Sequence, residues 1–254
     1  MTHKPYLSQE MGGLFVILCI SILLTACSDR STAVPKIKGE EWDLVVMGDS
    51  KSWGVGEQYA AMIEADQKVK VTLTELQREN LPTSGMLDVL RTYDIYRKAV
   101  RNADVITFVA NPFEYTGTGF FEQGKKFECS PEAMASYQAD LDTILAEIFA
   151  LRKGKPTIIR AMDYYSSSNN EWKEWGRFDA YKSCWETINE TIHQTAEEHN
   201  IPVAEVYAVF NGPTHDEDPM DKGYLRPDGE HPSETGAKVI AEAFRKLGYD
   251  PIIP

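Results

Sequence analysis

Apolar, β-branched runs recur five times along the chain, at residues 44–47, 69–73, 105–109, 157–161 and 203–206. Short runs of this kind read as buried strands. Between and after them the apolar spacing becomes helical, over residues 56–65, 86–101, 131–151, 177–199 and 232–247. Ser130-Pro131-Glu132 opens the third stretch with a cap and a proline at the first helical position. Ser233 and Glu234 suit the start of the last one, and Gly248 suits its stop. Alternating strands and helices imply a parallel sheet with helices on its faces. Right-handed crossovers then give a three-layer α/β/α sandwich with a five-stranded parallel sheet. Sites in such sheets form at the carboxyl ends of the strands. The three longest loops, residues 111–130, 163–176 and 210–229, follow strand ends and are expected to rim one mouth.

The N-terminal residues fall outside this pattern. Residues 14–24 are continuously apolar. That is short of the roughly 20 residues of a spanning helix, and it fits the apolar segment of a signal peptide. The run ends in Leu24-Thr25-Ala26-Cys27, which resembles the lipobox of bacterial lipoproteins. The resemblance implies cleavage before Cys27 and acylation of that cysteine. Residues 1–26 would be signal peptide, 27–40 the lipidated cysteine and a polar tether, and 41–254 the folded domain. The protein is then expected in the cell envelope, exported and held to the membrane by its lipid. An uncleaved signal anchor is the alternative.

Composition adds limits. The chain is 43% hydrophobic and 26% charged, ordinary for a globular protein. Its net charge is −13. Removing residues 1–26 takes away one lysine, Lys4, and one acid, Glu10, and leaves that charge unchanged. Such a balance disfavours nucleic acid and anionic lipid surfaces as partners. With Cys19 in the signal and Cys27 as the lipid site, Cys129 and Cys184 are left either to pair or to remain buried thiols. No Cys/His spacing suits zinc, and the acidic loop of Asp216, Glu217, Asp218 and Asp221 lacks the spacing of a calcium hand. Gly54-x-Gly56-x-x-Tyr59 half-matches a dinucleotide fingerprint, but Tyr59 stands where a small residue is needed. Neither a metal nor an organic cofactor is expected.

Candidate chemistry sits at the two ends of the domain. Gly48-Asp49-Ser50 follows the first strand, and Asp228-Gly229-Glu230-His231 precedes the last helix. A serine hydroxyl needs a base to become a nucleophile. His231 is the candidate base, and Asp228 can fix its tautomer and steady the imidazolium. The oxyanion formed on attack needs preorganised donors. The Ser50 amide, the Gly85 amide after the second strand and the Asn111 side chain after the third are candidates. The Gly-x-Ser-x-Gly elbow of another hydrolase fold is absent, since Ser52 takes its last position.

Ser50, Gly85, Asn111 and His231, in that order, resemble the four blocks of the SGNH (GDSL) hydrolase superfamily. The resemblance runs from Trp42 to Tyr249 and implies a flavodoxin-like SGNH hydrolase fold. It implies that Ser50 is nucleophile, His231 general base, Asp228 its partner, and Gly85 and Asn111 oxyanion donors. Two blocks depart from the usual pattern. Lys51 replaces the leucine after Gly-Asp-Ser, a mild change, and Val109-Ala110-Asn111-Pro112 replaces Gly-x-Asn-Asp. The expected activity is hydrolysis of a carboxylic ester, whether small ester, acylated glycan or lipid, through an acyl-enzyme on Ser50. A cell-envelope O-acyltransferase and a non-catalytic binding lipoprotein of the same fold remain open. His193 and His199 read as surface residues and His215 as a solvated loop residue. Phe113, Tyr115, Phe120, Phe121, Tyr164, Tyr165, Trp172 and Trp175 crowd the rim loops, either packing them down or contacting substrate.

Overall fold

The computed structural model describes residues 36–254. The signal and lipobox expectations, including Cys19 and Cys27, lie outside the described residues. Among those described, no helix is long and apolar enough to cross a membrane.

The five runs form strands β1 (Glu41–Gly48), β2 (Lys70–Gln77), β3 (Val105–Phe108), β4 (Ile158–Met162) and β5 (Val203–Ala204). All pair in parallel, in the order β2-β1-β3-β4-β5. Strands β3 and β4 are buried along their whole length, as expected of a sheet covered on both sides. The helices are α1 (Val55–Gln67), α2 (Thr83–Thr92), α3 (Asp94–Asn102), α4 (Phe113–Thr116), α5 (Pro131–Arg152), α6 (Asn169–Glu174), α7 (Phe178–Glu198), α8 (Val206–Asn211) and α9 (Glu234–Lys246). The chain moves one way from β1 to β2 and the other way from β2 through β5. Right-handed crossovers therefore put α1 on one face, and α2, α3, α5 and α7 on the other. Helix α9 packs on α1, and α5 packs against α2, α3 and α7. The three-layer α/β/α sandwich is thus complete.

The short helices α4, α6 and α8 are not marked by the apolar spacing, and two of the expected elements also differ. The helix expected over residues 86–101 is two helices, broken at Tyr93, which is extended at φ −98° and ψ 113°. Arg97 closes the break by donating from Nη1 to the carbonyls of Leu90 (3.0 Å) and Arg91 (3.2 Å). The last strand stops at Ala204 rather than residue 206. The Asp163 carboxylate accepts the Tyr207 N–H at 2.8 Å and starts α8 there.

The direction of the chain reverses at β1. The carboxyl ends of β1 and β3, lying side by side, are therefore the switch point where sheets of this kind bind ligands. Gly48 makes that junction possible. It has φ +124°, and a Cβ there would lie 2.2 Å from the Val109 carbonyl oxygen. Only glycine lets β1 approach β3 this closely before the chain turns into Ser50.

Candidate active site

Ser50 opens a single 3-10 turn, Ser50–Ser52, directly after β1. Asp49 caps it, with Oδ1 accepting the Lys51 N–H at 3.0 Å. The other carboxylate oxygen accepts the Tyr164 hydroxyl. Burial pushes Asp49 up to about 6, against the pull of the Tyr164 and Lys51 donors. Burial also raises the Tyr164 phenol well above its usual range, so it remains a donor.

Asp228 and His231 form a self-contained loop. The Asp228 Oδ1 accepts the N–H groups of Glu230 (2.9 Å) and His231 (3.0 Å). Its Oδ2 meets His231 Nδ1 at 3.1 Å. Although desolvation opposes it, these donors hold the Asp228 carboxyl down to about 2. The carboxylate is thus ionised at neutral pH and leaves Nε2 as the ring nitrogen that faces away from it.

Two links carry this loop to Ser50. Trp53 donates its N–H to the Ser50 carbonyl at 3.1 Å. Its indole stacks on the His231 ring, with centroids 4.6 Å apart. Lys51 Nζ lies 3.4 Å from the Glu230 carbonyl oxygen. No hydrogen bond joins the Ser50 hydroxyl to His231 among the described residues. In hydrolases such contacts are often long until substrate binds.

The two candidate oxyanion blocks meet each other. Pro82 and Asn111 form a parallel bridge, and the Thr83 hydroxyl donates to the Asn111 carbonyl at 2.7 Å. Gly85 is the third residue of α2, so its N–H belongs to the first turn, which has no intrahelical acceptor. The neighbouring Ser84 N–H is taken up by Glu114 at 2.7 Å. Asn111 is buried, and its Oδ1 accepts the Phe113 N–H at 2.9 Å. Its side-chain amide is left as a donor. The turn closes on Phe113, two residues on, and Pro112 between them has no N–H to compete for the Asn111 Oδ1.

The rim aromatics chiefly pack the loops down. Phe120, Tyr164, Tyr165 and Trp172 are fully buried. Trp172 Nε1 donates to the Phe120 carbonyl at 2.9 Å, joining two of the three loops. Asn170 N–H to Asp218 Oδ2, at 2.9 Å, joins the third. Cys129 and Cys184 form a disulfide, with Cα atoms 5.2 Å apart, tying the first loop to α7.

Among the described residues, the remaining histidines are all partnered. His193 lies at the surface as expected, with its side chain 40% exposed, and its Nε2 lies 3.3 Å from the buried Asp163 carboxylate. His215 is not simply solvated, since it stacks on Tyr207 at 3.9 Å. His199 pairs with Asp142 at 2.9 Å. A cavity of about 500 Å³ lined by Lys36, Asp104, Arg152 and Lys155 opens beside the amino ends of the strands. It holds none of the candidate catalytic groups.

Sequence reasoning underrated Lys51. It is 1% exposed, with Nζ 3.0 Å from Ser167 Oγ and 4.4 Å from the Tyr165 ring centroid. Its replacement of an apolar residue inside a buried turn was the available signal.

Solved structures share this architecture. A lipase from a goat rumen metagenome superposes with a TM-score of 0.64 at 23% identity, over 82% of this chain and 98% of that one. An acetyl xylan esterase from Geobacillus stearothermophilus gives 0.58 at 18% identity, over 83% and 96%. A candidate SGNH hydrolase from Slackia heliotrinireducens gives 0.53 at 15% identity, over 82% and 100%. The chain has the SGNH hydrolase fold. No family model matches the chain, and no curated protein matches its sequence. Ser50 follows β1, and His231 lies just before α9.

Proposed function

We propose that the chain is an exported, lipid-anchored SGNH-type serine esterase. The observation that carries this reading is the Asp228–His231 pair, 3.1 Å apart, held by Trp53 and Lys51 against the turn that begins at Ser50. In the proposed reaction Ser50 Oγ attacks the ester carbonyl carbon while His231 Nε2 takes the hydroxyl proton. The Ser50 and Gly85 amides and the Asn111 side chain receive the oxyanion. Collapse breaks the ester C–O bond, and the alcohol leaves with the proton from His231. Water then attacks the acyl-Ser50, gives its proton to His231, and frees the acid as the Ser50 hydroxyl is restored. Residues 14–27 support export and a lipid on Cys27. The Cys129–Cys184 bond suits an oxidising compartment.

The test is covalent labelling of the full-length protein with a fluorophosphonate, beside Ser50→Ala. Label on the parent and none on the variant is the expected result. Equal labelling of both, or of neither, overturns the reading. Incorporation of a labelled fatty acid that is lost in Cys27→Ala checks the anchor separately.

A further inference from the structure

Glu230 immediately precedes His231, and its carbonyl oxygen receives two donors from outside the loop. Lys51 Nζ is one, at 3.4 Å, and Tyr165 Oη is the other, at 3.1 Å. The two donors also support each other, because the ammonium lies over the Tyr165 ring at 4.4 Å. A third contact, Lys51 Nζ to Ser167 Oγ at 3.0 Å, anchors the ammonium to the segment after β4. An ammonium this deeply buried is costly and persists only where it is well paired. Here it follows the candidate nucleophile in sequence and touches the carbonyl of Glu230, the residue before the candidate base.

We propose that Lys51 is a positioning residue: with the Tyr165 hydroxyl it clamps the Glu230 carbonyl and so holds the His231 imidazole over the turn that carries Ser50. This rests on the serine esterase reading and adds to it a group the Gly-Asp-Ser pattern does not require. Proton transfer from Ser50 depends on the imidazole's position to within a fraction of an ångström. Asp228 fixes the ring within its own loop, whereas Lys51 and Tyr165 fix that loop to the rest of the site.

The charged groups facing the ammonium are Asp49 on its own turn and Glu230 and Asp228 on the histidine loop. Tyr165 and Ser167 from the segment after β4 and Phe121 from the loop after β3 face it as neutral groups. Desolvation outweighs the three carboxylates and lowers Lys51 to about 8. The Tyr165 phenol is raised well above its usual range by burial, so it stays a donor throughout. The clamp therefore weakens on the alkaline side through loss of the Lys51 charge alone.

The experiment compares full-length parent, Lys51→Met and Tyr165→Phe by fluorophosphonate labelling rate from neutral to alkaline pH, with a melting temperature for each. The parent is expected to label and to slow above a pH of about 8. Lys51→Met is expected to label roughly 10- to 100-fold more slowly without that alkaline fall, and to melt no lower than the parent. Tyr165→Phe is expected to slow labelling a few-fold and to keep the alkaline fall. A parent that does not label overturns the esterase reading and the clamp with it. A parent that labels while Lys51→Met labels equally fast at every pH overturns the clamp alone. A Lys51→Met protein that melts well below the parent makes Lys51 a structural cation and also overturns it.

Discussion

Trp53 lies almost flat on His231, with ring centroids 4.6 Å apart and planes inclined by 19°. Trp53 ends the turn that begins at Ser50 and donates its N–H to the Ser50 carbonyl. The candidate base is thus positioned by the candidate nucleophile's own turn as well as by Asp228. An aromatic face also favours a cation above it by about 0.5–1 kcal/mol, which suits the imidazolium that the proposed mechanism forms on His231. Trp53→Ala should lower kcat for a short-chain ester by about tenfold, with a smaller change in KM. Trp53→Phe should keep most of the activity. An unchanged kcat in Trp53→Ala would show that Asp228 alone holds the ring.

Asp228 does two things with two oxygens. Oδ1 holds the Glu230 and His231 N–H groups, and Oδ2 receives Nδ1. In Asp228→Asn the side-chain oxygen can keep the backbone contacts, while the amide nitrogen presents a donor to Nδ1 and selects the wrong tautomer. We expect kcat to fall by about 10²–10⁴-fold, less than in His231→Ala, because Trp53 still stacks on the ring. Steady-state kinetics of the two variants decide this, and an equal or greater loss in Asp228→Asn contradicts it.

Much of this was legible in the sequence because it is periodic or local. Five buried runs and the stretches between them set the sheet and its layers, and Ser50 and His231 followed from turn positions at strand and helix ends. What the sequence hid depends on contacts across long separations. The burial of Lys51 is created by Ser167 and Tyr165, more than 110 residues away. Asp49 meets Tyr164 across a separation of 115 residues. The break at Tyr93 was hidden for a related reason: residues 86–101 are individually compatible with helix, and the turn is closed by the reach of the Arg97 side chain. Gly85 and Asn111 could be named but not joined until Pro82 was seen to bridge Asn111.

The Cys129–Cys184 bond closes a loop with a sequence separation of 55. By the chain-entropy relation such a crosslink contributes about 4 kcal/mol. It joins the loop after β3 to α7 rather than the Ser50 turn. Cys129→Ser combined with Cys184→Ser should therefore lower the melting temperature by about 10 °C while leaving kcat at low temperature within about twofold of the parent's. Calorimetry with kinetics in the cold tests both halves. A large loss of kcat in the cold-folded variant would mean that the first rim loop needs the crosslink to shape the mouth.

Asp49 ties the stability of the fold to pH. Its folded value is about 6 against an unfolded value of 3.8, because burial disfavours the carboxylate more than its donors favour it. A raised acid binds its proton more tightly in the folded state. Its stabilising contribution is complete below the unfolded value and is lost as pH rises through the folded one. At neutral pH the ionised, buried Asp49 should therefore cost about 3 kcal/mol relative to a neutral isostere, and about half that at pH 5. Asp49→Asn supplies that isostere. Its oxygen can keep the Lys51 N–H, and its amide nitrogen can donate to the Tyr164 oxygen in place of accepting from it. The variant should resist urea more strongly than the parent at neutral pH, and its advantage should shrink at pH 5. An advantage of the same size at both pH values would show that Asp49 does not titrate in this window, and an Asn variant less stable at both would show that the Tyr164 hydroxyl requires a carboxylate.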